Sequence, residues 1–380
     1  MPQAELTLGE AGRRRGGRVK RWALVGRGAA ALAGGMGIGR FAYTPILPMM
    51  HAQAGLTPGL GAALATANYT GYLAGAVAAV AAPRLVHSRW TLRLALLVLT
   101  ATLALMPVDS SLWLTLRLIA GIASALVFVI AVSAVLPRLS SHHVGWTFGG
   151  VGAGIALSGA VLAGGNWRTA WWITAVLTLA CTVPAWNLTG SRPTSSVAPG
   201  RRSRHFNALL TSYTLEGIGY IIAGTFLVAA INETASGPVG NSAWIVVGLA
   251  AVPSTAFWAA LSRRWSRSTL LLSALILQAL GIALPTVVHG VAAALISAAL
   301  FGATFLGVAN LAIALGTELQ VPQAVAVLTV GYSLGQLIGP LAVGPLLHNG
   351  YHQALLVSAA VVALAAIAAL LVRHPARRLA

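Results

Sequence analysis

Apolar runs of membrane-spanning length recur along almost the whole chain, and this feature limits the possible folds most strongly. Each run is close to the roughly 20 residues that a helix needs to cross the hydrocarbon core of a bilayer. The sequence therefore predicts an all-α integral membrane protein with twelve transmembrane helices. The runs lie at about residues 22–49, 59–82, 91–107, 112–136, 146–164, 168–189, 207–231, 244–261, 268–288, 291–316, 323–347 and 353–372.

The charged residues support this class of protein and exclude another. Only 8% of the residues are charged, whereas a soluble domain carries roughly 25%. The net charge of +18 would suit a nucleic-acid partner, but the basic residues form short clusters in alternate gaps between the apolar runs. This is the positive-inside pattern of membrane proteins. It predicts contact with anionic lipids and no nucleic-acid partner. The single cysteine, Cys181, excludes an intrachain disulfide and a cysteine-rich metal site.

The basic clusters and one polar segment predict the topology and the domains. An even number of spans places both termini on one side, and the basic clusters identify that side as the cytoplasm. A segment rich in Ser, Pro, Gly and Arg, GSRPTSSVAPGRRSRHF, divides the spans into two sets of six. We expect a multi-pass protein of a bacterial inner (plasma) membrane. The predicted parts are a cytoplasmic tail at 1–21, six-helix bundles at 22–189 and 207–372, a linker at 190–206 and a tail at 373–380.

One arginine, Arg40, lies in the middle of the first apolar run, within the stretch GGMGIGRFAYTPILPMM at 34–50. Four glycines precede it and two prolines follow it. An ionisable residue in a membrane span normally faces the protein interior or a water-filled cavity. Arg40 therefore predicts a substrate or ion pathway. The alternative is an arginine that carbonyl groups and a carboxylate hold for purely structural reasons.

Glu216 is the only one of the six acidic residues that lies well inside an apolar run. Burial favours the neutral form of a carboxyl group, and a nearby arginine favours the charged form. A group between these two influences can take up and release a proton, so Glu216 is the candidate proton carrier. The alternative is a permanent ion pair with Arg40 or another cation.

Other polar side chains within the spans are candidates for substrate binding. Tyr43 and Thr44 follow Arg40 by three and four residues, a spacing that places side chains on one face of a helix. For the uncharged residues the alternative is a helix–helix hydrogen bond, and for Arg117 it is a side chain that reaches the membrane interface. The further candidates are Asn68, Tyr69, Tyr72, Arg117, Tyr213, Tyr220, Asn310 and Gln336.

The chain carries no HExxH, GxxxxGK[ST] or GxSxG motif and no pair of carboxylates within a span. We therefore expect neither an enzyme nor a bound cofactor. Without an ATP-binding motif, any pumping is expected to use an ion gradient.

Two sets of six helices with a basic central loop and cytoplasmic termini resemble the major facilitator superfamily. Within it, GMGIGRFAYTPILPMM at 35–50 is similar to the signature of the YbfB/YjiJ-type family, and YTGYLAGA at 69–76, YTLEGIGYIIAGTF at 213–226 and GQLIGPLAVG at 335–344 also look alike. The resemblance implies a monomeric secondary transporter that alternates between inward-open and outward-open states. Residues 117–121 resemble the Arg-x-x-x-Gly antiporter motif, whereas the loop PRLVHSRW at 83–90 lacks the aspartate of the superfamily.

We therefore expect a proton-coupled secondary transporter of a small organic solute. In this interpretation Glu216 carries the proton, and Arg40 orients the substrate or modulates Glu216. Arg40 favours an organic anion as substrate, whereas the motif at Arg117 and the Gly-Pro stretch at 335–344 favour a multidrug/proton efflux antiporter. A hypothesis from another class is a non-transporting membrane receptor on the same fold.

Overall fold

A computed structural model describes residues 18–161, 165–190, 204–234, 239–321 and 324–372, and these ranges are helical with no β-strand. The predicted tail up to residue 17, most of the linker (191–203) and the C-terminal tail (373–380) lie outside the described residues. Helix α1 covers residues 18–32. The other α-helices are α2 (Tyr43–Ala54), α3 (Pro58–Ala81), α4 (Pro83–His87), α5 (Arg89–Leu105), α6 (Trp113–Val135), α7 (Ser141–Val161), α8 (Trp167–Ala185), α9 (Arg204–Thr234), α10 (Val239–Leu261), α11 (Arg267–Val287), α12 (Val291–Glu318), α13 (Ala324–Val343) and α14 (Tyr351–Leu370).

The prediction of a helical membrane protein is confirmed. Large apolar side chains point outward from the helices, and Val183 and Val287 are 73% and 72% exposed, as lipid-facing residues are expected to be. The division into twelve spans and two six-helix bundles stays a prediction. Seven helical segments in the described ranges are long and apolar enough to cross a membrane: Ser110–Val135, Arg204–Glu233, Ser242–Leu261, Arg267–Val287, Val291–Glu318, Val327–His348 and Tyr351–Leu370.

Polar side chains cap several of the helices at their first turn. Thr57 accepts a hydrogen bond from the Leu60 N–H at the start of α3, where Pro58 occupies the first helical position. Ser88, Asn166 and Ser266 accept backbone N–H groups in the same way at the starts of α5, α8 and α11. Each cap satisfies a donor that has no partner within the helix, and therefore fixes where the helix begins.

The first apolar run does not form one regular helix. Residues Ala33–Ile38 form a π-helical turn, and the Phe41 N–H donates to the Met36 carbonyl at 3.2 Å, a five-residue spacing. Residues 39–42 form turns before α2 begins at Tyr43. Such π-helical turns often occur at functional sites. This one ends two residues before Arg40.

Close glycine contacts recur in the two halves of the chain. In the N-terminal half, a Cβ on Gly37 would lie 2.7 Å from the Cα of Gly154 on α7. In the C-terminal half, a Cβ on Gly217 of α9 would lie 2.7 Å from the Tyr332 carbonyl on α13. The first span therefore packs on α7 as α9 packs on α13. Both contacts involve a Gly-Ile-Gly stretch, at 37–39 in the first span and at 217–219 in α9.

The two halves are in direct contact. Helix α7 packs along α10, α3 contacts α13, and α2 contacts α9. A Cβ on Gly145 would lie 2.8 Å from the Ala256 Cα near one end of the α7–α10 contact, and a Cβ on Gly159 would lie 2.9 Å from Ile245 near the other end. The candidate site lies between the halves, where the first span meets α9 and α13.

Candidate functional site

Arg40 is buried between the two halves, with 3% of its surface exposed. Its Nη2 donates a hydrogen bond to Oε1 of Gln336 on α13. The guanidinium carbon lies 4.2 Å from the ring centroid of Tyr72, 5.0 Å from that of Tyr69 and 5.5 Å from that of Phe41. A desolvated cation over aromatic rings gains about 2 kcal/mol or more. Aromatic faces and an amide therefore hold this cation without a carboxylate.

Two more of the predicted residues join the halves near Arg40. Thr44 donates its hydroxyl to the Gly224 carbonyl on α9, and the Tyr69 hydroxyl is 2.8 Å from Oγ1 of Thr225, also on α9. Together with the bond from Arg40 to Gln336, these contacts form a polar link between the halves, which we call the central contact.

Tyr43 and Asn68 have a different role, because their hydrogen bonds stay within the N-terminal half. The Tyr43 hydroxyl donates to the Gly61 carbonyl at 2.8 Å. Nδ2 of Asn68 donates to the Arg117 carbonyl at 3.0 Å and joins α3 to α6. For Asn68 this is the helix–helix hydrogen bond that the sequence left open as the alternative.

Glu216 is fully buried in α9. Its Oε1 accepts a hydrogen bond from Nε2 of Gln278 on α11 at 3.2 Å, and its Oε2 has no partner among the described residues. The one ion pair in the described ranges joins Arg267 and Glu318, both partly exposed. The alternative of an ion pair between Glu216 and Arg40 is therefore wrong for this conformation. A carboxyl group buried without a counter-charge is more stable as the neutral acid.

A column of aromatic rings connects the surroundings of Glu216 with those of Arg40. Tyr213 stacks on Tyr332 with ring centroids 4.4 Å apart, and Tyr332 stacks on Tyr220 at 5.4 Å. Tyr220 then stacks on Phe305 at 5.8 Å, and Phe305 meets the edge of Phe41 at 6.2 Å. Tyr213 and Tyr332 are close enough to Glu216 to interact with it electrostatically.

Arg117 is buried on α6 with 1% of its surface exposed, so protein surrounds its side chain. Its guanidinium carbon lies 4.8 Å from the ring centroid of Tyr43 and 6.0 Å from that of Trp171 on α8. Arg117 thus occupies an aromatic environment of its own in the N-terminal half. Arg117 lies beside Tyr43, and Tyr43 follows Arg40 by three residues in the sequence.

Sequence reasoning missed several residues of this site and included one that does not join it. Asn310 is only partly buried and is not a hydrogen-bond partner of Arg40 or Glu216. Gln278 could have been found, because it is an uncharged polar residue within the apolar run 268–288. Phe305, Tyr332 and Trp171 gave no signal, since aromatic residues are common in membrane spans.

A second polar link between the halves lies at the end of α2, beyond the predicted first span (22–49). Nε2 of His51 is 2.6 Å from the Tyr351 hydroxyl at the start of α14, and Nδ1 of His51 contacts the Leu56 carbonyl. A carbonyl oxygen can only accept, so Nδ1 carries the hydrogen and Nε2 accepts from Tyr351. The Tyr351 N–H donates to the Glu233 carboxylate at 3.0 Å.

This link is expected to weaken in acid. Burial lowers the pKa of the His51 imidazole, so the folded protein prefers neutral His51, and the link is fully present above the unfolded value of about 6.5. As the pH falls from that value through the lowered pKa of folded His51, protonated Nε2 can no longer accept, and the Tyr351 hydroxyl must change from donor to acceptor. Tyr351→Phe should cost about 1 kcal/mol of stability at neutral pH and less in acid. Thermal unfolding of the purified protein across this pH range measures the difference, and a cost independent of pH would contradict the assignment.

Comparison with known proteins gives one match. A family model described as "Uncharacterised MFS-type transporter YbfB" matches residues 32–370. No curated protein matches the chain. The matched range includes Arg40, Glu216 and every other side chain of the site.

Proposed function

Because the chain belongs to the YbfB-type family of major facilitator superfamily transporters, we propose that it is a secondary active transporter that couples a small organic solute to protons. Family membership and the apolar helices identify a multi-pass membrane transporter. Proton coupling, the substrate and the residue roles belong to the proposal. So do the twelve spans, the bundles at 22–189 and 207–372, the cytoplasmic termini, the bacterial inner membrane, the contact with anionic lipids and the monomeric state.

The observation that carries the proposal is Glu216, a fully buried carboxyl group with one amide partner and no cation beside it. In this closed environment the group holds a proton, because the neutral acid is the form that burial tolerates. When water reaches α9 from one side of the membrane, the charged form becomes accessible and the proton can leave. Uptake of a proton from the other side completes the cycle.

Arg40 is the proposed charge partner of the substrate. Its Nη2 is bonded across the site to Gln336, and its Nε has no partner among the described residues. An arginine can hold a carboxylate or phosphate through two parallel hydrogen bonds, so an anionic solute would compete with Gln336 for this group. Binding would then loosen one bond of the central contact. The remaining proposed substrate-binding residues are Tyr43, Thr44, Asn68, Tyr69, Tyr72, Arg117, Tyr213, Tyr220 and Gln336.

Multidrug/proton efflux is the second candidate. It is favoured by the antiporter-like motif at 117–121 and by the long aromatic column, because stacked rings can bind lipophilic cations. In that case Glu216 would serve both the proton and the drug. The two candidates differ in the charge of the ligand.

A thermal-shift screen of the purified protein tests this choice. A ligand that binds only the folded state raises the apparent stability. Stabilisation by small organic anions, lost in Arg40→Ala, would support the anion carrier. Stabilisation by lipophilic cations, lost in Glu216→Gln, would support efflux.

The compound that stabilises the protein is then added to proteoliposomes that contain a pH-sensitive dye. A proton-coupled transporter moves protons only when this solute is present. The hypothesis of a receptor on the same fold predicts binding without proton movement, and that result would reject the proposed function.

A further inference from the structure

Beside the central contact, the N-terminal half holds a cluster of buried N–H donors that lack acceptors. Nε and Nη1 of Arg117 and Nε1 of Trp171 have no hydrogen-bond partner among the described residues. Both side chains are buried, with 1% of Arg117 and none of Trp171 exposed. Unsatisfied buried donors are uncommon in native proteins, and each one calls for an explanation.

The two donor groups belong to one place in the fold. The guanidinium carbon of Arg117 on α6 lies 6.0 Å from the ring centroid of Trp171 on α8, and the ring of Tyr43 on α2 lies 4.8 Å from the same carbon. Because the indole and the guanidinium are neighbours, one oxyanion bound beside them could accept hydrogen bonds of about 2.9 Å from both. The Tyr43 hydroxyl donates its hydrogen to the Gly61 carbonyl, and its oxygen accepts from none of the three unpartnered N–H groups.

No described carboxylate neutralises Arg117. Glu216 is bonded to Gln278, Glu233 to the Tyr351 N–H, and Glu318 to Arg267. Asp109 accepts from Ser111 at an exposed helix start. The Asn68 amide donates from Nδ2 to the backbone carbonyl of Arg117, and its Oδ1 has no partner among the described residues. A buried charge needs a counter-charge, and this part of the chain supplies none.

We propose that Arg117 and Trp171 bind an oxyanion group of the transported solute in addition to the proposed contact with Arg40, so that the substrate is an organic anion. This inference rests on the proposed transport function and names its substrate class. The guanidinium fork suits the two oxygens of a carboxylate or the oxygens of a phosphate monoester, and the indole N–H adds a third donor. The rings of Tyr43 and Trp171 form an apolar wall for the organic part of the solute.

A purely structural role for Arg117 makes the opposite prediction about stability. If Arg117 is buried only to pack on the rings of Tyr43 and Trp171, then removing its charge should destabilise the protein. If Arg117 instead serves to bind an anion, its charge is unpaired in the ligand-free protein and costs stability. Arg117→Gln should then leave the ligand-free protein as stable as the wild type or more stable. Arg267→Gln is the matched control, because it removes an arginine that already has a carboxylate partner.

Thermal unfolding of the full chain with defined probes tests the proposal. The probes are sodium benzoate and sodium phosphate, compared with sodium chloride at equal ionic strength and with benzylamine as a cation of similar shape. One of the oxyanions should raise the unfolding temperature of the wild type and of Arg267→Gln but not of Arg117→Gln. Benzylamine should have no effect.

Two further variants keep the test decisive if Arg117→Gln does not fold. Trp171→Phe keeps a ring and removes the N–H, and should require about tenfold more of the oxyanion, the effect of one lost hydrogen bond of about 1.4 kcal/mol. Arg117→Lys keeps the charge and removes the fork, and should also bind more weakly. Equal shifts in the wild type and these variants would overturn the proposal, and so would the absence of any oxyanion shift in the wild type.

The binding test needs no proton gradient, so the two proposals can fail separately. If Arg117→Gln bound oxyanions like the wild type while the transporter still coupled solute to protons, only the anion subsite would be rejected. If the oxyanions bound at Arg117 and no solute moved protons, only the coupled transport would be rejected.

Discussion

Glu216→Gln is expected to abolish proton-driven accumulation of the solute and to leave exchange of solute at equal concentrations on both sides largely intact. Glutamine keeps the size of the side chain and can still bond to Gln278, but it cannot take up or release a proton. Accumulation should therefore fall to the level of protein-free liposomes, since the coupled step requires a titrating group. Labelled solute in proteoliposomes, with and without an imposed proton gradient, measures both activities.

Two other carboxylates of the chain provide controls for this substitution. Glu233 bonds to Tyr351 at the end of α9, and Glu318 pairs with Arg267 at the surface. Glu233→Gln and Glu318→Gln make the same change of side chain outside the buried site and should keep gradient-driven accumulation. Accumulation at the wild-type rate in Glu216→Gln would rule out Glu216 as the proton carrier.

Gly71→Ala is expected to cause the largest loss of stability among single-methyl changes in the N-terminal half. A Cβ on Gly71 of α3 would overlap the Leu118 carbonyl oxygen on α6, and a Cβ on Gly121 of α6 would overlap the Asn68 carbonyl oxygen on α3. The two helix backbones touch here and neither can yield locally. Overpacking of this kind costs about 1–3 kcal/mol or more.

The measurement for Gly71→Ala is thermal unfolding in detergent, together with the amount of folded protein recovered. Gly59→Ala is the matched control, because it lies at the exposed start of the same helix and a Cβ there would meet nothing within 4 Å. That control should unfold like the wild type. If Gly71→Ala also unfolded like the wild type, the close contact between α3 and α6 would be wrong.

The sequence predicted the class of fold and the burial of Arg40 and Glu216, but not the contacts that these residues make. Charge scarcity and run length were sufficient for a helical membrane protein, and the position of Glu216 within an apolar run predicted its burial. Whether Glu216 meets Arg40 depends on how α9 and the first span are rotated about their axes. The length of an apolar run says nothing about that rotation. In the structure Glu216 bonds to Gln278, and Arg40 bonds to Gln336.

The expected common face of Arg40, Tyr43 and Thr44 shows a second limit. The spacing rule holds within a regular α-helix, but Arg40 lies in the turns between the π-helical turn and α2. Thr44 still reaches across to α9, whereas Tyr43 turns towards Arg117 and α3. The π-helical turn at Ala33–Ile38 changes the direction in which the following side chains point, and the spacing of the residues alone does not show this change.

The two buried arginines give the protein an electrical property. Arg40 and Arg117 are buried cations within two of the predicted membrane spans, and no described carboxylate pairs with either. An elementary charge that moves through the whole membrane potential changes in energy by about 2.3 kcal/mol per 100 mV. Any reorientation of the empty carrier that shifts these arginines relative to the field is therefore voltage-dependent. A bound anion offsets part of that charge, so the loaded and the empty carrier respond differently to the same membrane potential.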